Sequence, residues 1–141
     1  MKPNAFIWDI DGTLATIHPD RAIHEFDKVY MDLPIKNTIE LYKHLYDTSD
    51  ARFILVTGRS EDSRAMTMEW LSENGIQYHA LHMRPGGDRR QDTIIKEEIY
   101  NYHIMHQYDV QGVFDDRLRV CRMWHSLGLT VFRVGDPDAD F

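Results

Sequence analysis

Asp9 and Asp11 stand two positions apart and are followed at once by Gly12 and Thr13, which puts carboxylates and backbone N–H groups into one small volume. Such a group can hold both a phosphate and a metal ion, because glycine permits the backbone angles that let successive N–H groups converge on an anion. A second acidic pair, Asp115-Asp116, adds oxygen ligands suited to a hard cation such as Mg²⁺. Without a cation, carboxylates so crowded repel one another and resist full ionisation, so metal and acid cluster explain one another. A carboxylate can attack phosphorus in line to give an aspartyl-phosphate that water then hydrolyses, dividing one slow displacement into two steps. Phosphate-monoester hydrolysis calls for acceleration of up to about 10²¹-fold, so charge stabilisation must supply much of it. Lys96 and the Thr57 hydroxyl are donors able to hold phosphoryl oxygens, and Asp11 can protonate a leaving oxygen and later activate water.

These residues converge only if the chain places them at one edge. Ala5 to Trp8 and Phe53 to Val56 are compact apolar runs that suit buried parallel strands, the first ending at a carboxylate and the second at Thr57-Gly58-Arg59. Ile35, Ile39, Tyr42, Leu45 and Tyr46 recur at helix spacing, and Ser60 followed by Glu61 and Asp62 opens a second helix that Gly75 stops. Ile76 to Met83 alternates weakly before the loop Arg84-Pro85-Gly86-Gly87, and Asp92 to about His106 reads as helix. Val110 to Phe114 is a further strand ending in Asp115 and Asp116; Arg117 to Leu127 is helical, Gly128 closes it, and Thr130 to Val134 is a last strand. Strand and helix in alternation predict an α/β fold, a three-layer α/β/α Rossmann-like arrangement with a central parallel sheet, in which ligands bind beyond the carboxyl ends of the strands.

Taken together, Asp9-Ile10-Asp11-Gly12-Thr13-Leu14, Thr57-Gly58-Arg59, Lys96 and Asp115-Asp116 resemble the four ordered motifs of haloacid-dehalogenase (HAD)-like phosphatases. The resemblance implies Asp9 as nucleophile, Asp11 as acid/base, and Thr57 and Lys96 as phosphate ligands. It implies a Mg²⁺ site made by Asp9, the Asp11 carbonyl, Asp115 and Asp116. Arg84, Gly87-Asp88, Arg90, Asp92, Lys96-Glu97-Glu98-Ile99, Phe114 to Arg117 and Met123-Trp124 are similar, more closely, to the 3′-phosphatase domain of the T-even phage polynucleotide kinase-phosphatase family. That family removes 3′-phosphates from nucleic-acid ends with Mg²⁺ and joins its phosphatase to a separate kinase domain. It uses arginines near its first two motifs, which correspond here to Arg59 and, with a one-residue shift, to Arg21. Thr57 stands where the phage pattern has serine, and the hydroxyl is retained. No G-x-x-x-x-G-K-[ST] loop occurs, so 5′-kinase activity by the usual route is not expected.

The intervals between motifs are nearly filled by the sheet's own elements, which leaves little chain for a large cap domain and predicts an open site able to admit a polymer end. Gly12, Thr13, Gly58, Arg59, Arg21, Arg84 and Arg90 are the expected substrate contacts. Arg59, Arg84, Arg89, Arg90 and Arg117 fall in or beside predicted strand-end loops and would form a local basic track, with a Tyr or Trp stacking a terminal base. Such a track is needed because 16 Lys and Arg against 23 Asp and Glu give a net charge of -7, which offers no whole-molecule attraction to nucleic acid. Plainer readings stand beside each of these: Asp-x-Asp-Gly-Thr and Thr57-Gly58 as turns, Asp115-Asp116 as the opening of a helix, Lys96 as a solvated lysine, and the arginines as partners of Asp88 and Asp92.

Length and composition frame the rest. The 141 residues suit one domain, 1–141, and at that size a chain buries roughly 70% of its unfolded surface, enough for a core without disulfides. The single Cys121 excludes an internal disulfide and a cysteine zinc site and fits a reducing, cytoplasmic location. No apolar run approaches the ~20 residues of a membrane span, and Ala5 to Trp8 is too short for a secretion signal. His79/His82 and His103/His106 lack further ligands of a zinc pattern, and Trp8, Trp70, Trp124 and the methionines read as packing residues. The sequence therefore points to a polynucleotide 3′-phosphatase working beside a separate kinase or ligase. A generic phosphatase of nucleotides, sugar phosphates or a phosphoprotein, and a non-catalytic nucleic-acid-end or partner-binding module, remain as alternatives.

Overall fold

The computed structural model describes residues 1–141. Five parallel strands form the central sheet: β1 (Asn4–Trp8), β4 (Arg52–Ser60), β5 (Ala80–Arg84), β6 (Asp109–Asp115) and β7 (Val131–Arg133), in the order β5-β4-β1-β6-β7. A two-stranded antiparallel ribbon, β2 (Ala15–Thr16) with β3 (Leu33–Pro34), stands apart from it. The helices are α1 (Lys36–Thr48), α2 (Arg64–Glu73), α3 (Asp92–Ile99) and α4 (Leu118–Ser126).

Strand alternation sorts the core into two layers. Trp8, Phe53, Leu55 and Phe114 pack with Ile39 and Tyr42 of α1 and Trp70 and Leu71 of α2. Ala5, Ile7, Ile54, Val56 and Val113 pack with Ile95 and Ile99 of α3 and Val120 and Trp124 of α4. Helices α1 and α2 thus cover one face and α3 and α4 the other. The chain leaves β1 toward β4 on one side and returns to β6 on the other, which makes the carboxyl end of β1 the switch point where a crevice opens.

Three local expectations are revised, and one part of the chain was not anticipated. Strand β4 runs on through Thr57-Gly58-Arg59 to Ser60, with its register against β5 shifting between Thr57 and Ser60, so this motif is an irregular strand end rather than a turn after the strand. The weakly alternating stretch from Ile76 contributes only Ala80–Arg84 to the sheet. The helix from Asp92 widens into a π turn at Tyr100–Ile104. Between the first motif and α1 the chain builds the β2-β3 ribbon and a 3₁₀ helix (Phe26–Met31), a small lobe beside the sheet rim that no hydrophobic period announces. No helix is long and apolar enough to cross a membrane.

Candidate active site

Asp9 is the first residue past β1, and its N–H donates to the Phe114 carbonyl at 2.9 Å, which ties the β1 exit to β6. The neighbouring strand delivers Asp115 at its last position. The two buried carboxylates share one cation: Lys96 Nζ donates to Asp9 Oδ1 at 2.8 Å and to Asp115 Oδ2 at 2.9 Å. Lys96 reaches them from α3, where Ile95 and Ile99 face the core and carry the lysine stem inward. Asp115 is held on both oxygens, Oδ1 accepting from the Asp116 and Arg117 N–H groups at 2.9 and 3.3 Å and Oδ2 also from Trp124 Nε1 at 3.3 Å.

Carboxylate oxygens of Asp9, Asp115 and Asp116 lie within 4.8 Å of one another. Burial, then the Asp115 charge, drives the Asp9 pKa well above the usual carboxylate value despite Lys96, and the same two causes raise Asp116. Burial alone would discharge the Lys96 ammonium, but Asp115 and Asp9 hold it charged, and its pKa is raised. The cavity above them measures about 450 Å³ and is lined by the carboxylates of Asp9, Asp11, Asp92, Asp115 and Asp116 against the cations Lys96, Arg84 and Arg117. Asp11 is matched by Arg59, and Asp92 by Arg84 and Arg117, which leaves Lys96 as the one cation among Asp9, Asp115 and Asp116; three carboxylates already gathered around one ammonium suit a divalent hard cation.

The same cavity takes in Gly12, Thr57, Gly58 and Arg84, but Thr13, Arg21, Arg59 and Arg90 do not line it. Thr13 is buried, and its hydroxyl has no partner. The loop's amides are not an open anion cradle either: Gly12 N–H donates to the Ala15 carbonyl at 2.7 Å, and Thr13, Leu14 and Ala15 all donate to the Ile10 carbonyl at 2.8–3.1 Å. The tight turn that glycine allows consumes its own donors. Arg90 is turned away to Asp88 and Glu98 at 2.7 and 2.6 Å.

Arg21 and Arg59 lie behind Asp11 rather than in front of it. Arg59 Nη2 bridges Asp11 Oδ1 at 2.7 Å and Asp32 Oδ2 at 2.8 Å, and its Nε spans both Asp11 oxygens at 3.2 Å. Arg21 makes a bidentate pair with Asp32 at 2.7 and 2.8 Å and comes within 3.7 Å of Asp11. The side chains of both arginines and of Asp32 are fully buried, whereas that of Asp11 is 22% exposed. Arg21, Arg59 and Asp32 therefore form a buried block that fixes the direction of the Asp11 carboxyl group. Asp32 went unnoticed in the sequence; it sits between Met31 and Leu33 with no motif around it, and only the fold brings it here.

Arg84 lines the cavity with its guanidinium spent on Asp92 and on the carbonyls of Gly58, Asp88 and Arg90. Arg117 pairs with the other Asp92 oxygen at 3.2 Å. Arg89 and Arg119, whose side chains make no hydrogen bond or ion pair, lie in an adjoining depression with Arg84, Arg90 and Arg117. All three tryptophans are buried, which removes them as platforms for a base.

A parallel sheet whose switch-point strand ends in Asp-x-Asp-Gly-Thr, with a lysine and a second acidic pair brought to the same carboxylate, defines a HAD-like phosphatase fold. More narrowly, the chain belongs to the polynucleotide kinase PNKP phosphatase domain family, which matches residues 3–141. It is 36% identical over 135 residues to a protein of Autographa californica nuclear polyhedrosis virus named as a candidate bifunctional polynucleotide kinase/RNA ligase. That alignment covers 94% of this chain and 19% of the viral protein. A chain in the solved structure of a Pnkp1/Rnl/Hen1 complex superposes with a TM-score of 0.90 at 33% identity, over 96% of this chain and 47% of that one. A chain of a Pnkp1/Rnl/Hen1 RNA repair complex gives 0.91 at 32%, over 98% and 44%. The chain thus spans about one fifth of the viral relative and less than half of either structural relative.

Proposed function

We propose that residues 1–141 act as one Mg²⁺-dependent polynucleotide 3′-phosphatase unit with Asp9 as nucleophile. The observation that carries this reading is the Lys96 bridge between Asp9 and Asp115, which fixes the Asp9 carboxylate at the floor of a charged cavity that Asp11 also lines. A Mg²⁺ ion held by Asp9, Asp115, Asp116 and the Asp11 carbonyl would neutralise the carboxylates and stabilise the charge developing on the phosphoryl oxygens. An oxygen of Asp9 forms the bond to phosphorus as the bond to the 3′-oxygen of the strand breaks, and Asp11 gives that leaving oxygen its proton. Asp11, now ionised, then takes a proton from water, which attacks the aspartyl-phosphate and returns Asp9 free with inorganic phosphate.

Lys96, the Thr57 hydroxyl and the Gly58 segment, which line the same cavity, would hold the remaining phosphoryl oxygens. Arg21 and Arg59 act through Asp11, as positioning residues. Arg84 and Arg117, with the unpaired Arg89 and Arg119 beside them, supply positive potential along the way out of the cavity, where the next phosphates of a strand would run. The absence of a large cap leaves that route open. The names of the relatives support polynucleotide ends, RNA among them, as substrates, and a kinase and a ligase as companions in end repair.

Phosphate release should be measured from 3′-phosphorylated RNA and DNA strands, mononucleotides, a sugar phosphate and a phosphopeptide, with Mg²⁺ and with a chelator. Strand ends should be hydrolysed fastest, chelation should stop the reaction, and Asp9→Asn should lose about 10⁴-fold or more in kcat. Preference for a mononucleotide, sugar phosphate or phosphopeptide would move the substrate class to small esters or proteins. Equal turnover by Asp9→Asn would remove the proposed nucleophile.

A further inference from the structure

We propose that the Phe141 ring, together with Phe26, stacks the base of the terminal nucleotide; the inference rests on the polynucleotide reading above and specifies how the strand end is gripped beyond its phosphate. The cavity that holds the acid cluster has apolar sides made by Ile17, Ile23, Phe26, Ile35 and Phe141, and none of the five is buried. Ile23 keeps 45% and Phe141 40% of their surface open to solvent. Apolar surface left wet beside a floor of carboxylates and cations has no use in holding a phosphate or a metal ion, and it costs free energy until something covers it.

Four of these side chains come from the lobe between Ile17 and Ile35, and the fifth comes from the far end of the sequence. Phe141 is nonetheless registered to the site. Its carbonyl accepts from the Arg119 N–H at 3.3 Å, and the Arg117 guanidinium lies over its ring at 5.5 Å from the centroid. Arg117, the residue after Asp116, in turn pairs with Asp92 at 3.2 Å, so one guanidinium joins the ring to a carboxylate that lines the cavity. On the lobe, Phe26 is set edge-on by His24, with ring centroids 6.3 Å apart.

A ligand that fits this arrangement carries a dianion at one end and a flat, weakly polar body at the other. A nucleotide does so. A sugar phosphate would bring hydroxyls that Ile and Phe side chains cannot pair, leaving them desolvated. A phosphoserine or phosphothreonine peptide offers no flat body next to its phosphate, and a phosphotyrosine carries its phosphate directly on the ring, with no sugar to span the distance from the acid cluster to the apolar sides. Phenylalanine presents only a π-face and no hydrogen-bonding edge, so the contact accepts any of the bases, as repair of arbitrary ends demands. The tryptophans cannot serve, since each is buried.

The test compares a 3′-phosphorylated strand with the same strand whose last nucleotide lacks its base, using the wild type, Phe141→Ala, Phe26→Ala and Phe141→Trp. The wild type should favour the base-bearing end by about tenfold in kcat/KM, mostly through KM. Either alanine variant should bring the ratio toward one, and Phe141→Trp, which keeps a π-face, should preserve it and reports that the tail tolerates substitution. A wild type that hydrolyses both strands equally, or alanine variants that slow both by the same factor, would overturn the stacking role while leaving the polynucleotide reading intact. A wild type that ignores both strands yet hydrolyses acetyl phosphate with Mg²⁺ would overturn that reading and the stacking role with it.

Discussion

At Gly12 a single methyl group decides whether the acid cluster can form. The backbone there has φ +88°, and a Cβ would lie 2.0 Å from Asp116 Oδ2 and 2.3 Å from its carboxyl carbon. Alanine must therefore adopt a disfavoured conformation and also push Asp116 out of the group it makes with Asp9 and Asp115. Gly12→Ala should lose about 1–2 kcal/mol of folding stability from the backbone alone. Its affinity for Mg²⁺ should fall about 10–100-fold, the usual cost of disturbing the surroundings of a metal ligand. Titration of phosphatase activity against Mg²⁺, with a thermal melt alongside, separates the two effects. A variant with unchanged Mg²⁺ dependence would show that Asp116 does not take part in holding the ion.

The elements around Asp11 carry a different liability, because its position depends on charges buried out of reach of water. Removing Asp32 as Asp32→Ala leaves Arg21 and Arg59 with only Asp11 between them, inside a region where both guanidiniums are wholly desolvated. Breaking one partner from such a group costs about 3–5 kcal/mol, which should lower Tm by roughly 10 °C or more. Thr67→Val, which deletes only the 3.2 Å acceptor of Arg59 Nη1, should cost about 1 kcal/mol. Comparable melts for the two variants would mean that the block is less tightly coupled than its distances indicate.

Which of these elements could be read beforehand follows from how each is encoded. Strands β1, β4 and β6 announce themselves because each holds a short apolar run closed by a polar residue, and Asp9, Thr57 and Asp115 follow directly from those runs, whereas β5 alternates only weakly. Lys96 was legible through its place in the order of the motifs, since the helical period alone reads it as a solvated lysine beside the Ile95 and Ile99 face. The stretch from Ala15 to Ile35 has no such period, so Asp32, Phe26 and the β2-β3 ribbon stayed invisible. The plainer reading of the arginines, as partners of Asp88 and Asp92, holds for Arg84, Arg90 and Arg117, whereas nothing local tells Arg59, which meets carboxylates 48 and 27 residues away, that it will face inward.

For the molecule as a whole, the acid cluster makes stability depend on pH and on the metal together. Asp9 and Asp116 have folded-state pKa values raised above the unfolded ones, so between the ordinary carboxylate value of about 4 and the raised values the folded protein binds more protons than the unfolded one. Stability of the metal-free protein from these groups is therefore greatest in acid and is lost as pH rises. Carboxylates nearer the surface titrate oppositely: Glu25, held first by the Ala22 N–H, and Glu61 and Glu98, held by arginine, are lowered, and Asp88 beside Arg90 falls to about 2, so their contribution is complete above about pH 5. His79 and His82, lowered by burial, add stability as pH passes the ordinary histidine range, which masks part of the decline. The comparison is thus best made between the wild type and Asp116→Asn, each melted in chelator and in Mg²⁺ at steps from pH 5 to pH 8.5. In chelator, Asp116→Asn should gain on the wild type as pH rises, because one of the repelling carboxylates is gone. In Mg²⁺ the order should reverse, since an ion present at 100 times its Kd stabilises the wild type by about 2.7 kcal/mol and the variant by less. If the two proteins kept a constant difference across pH and metal, the raised carboxylates would not be what the bound ion relieves, and the charge balance inferred for the cavity would fail.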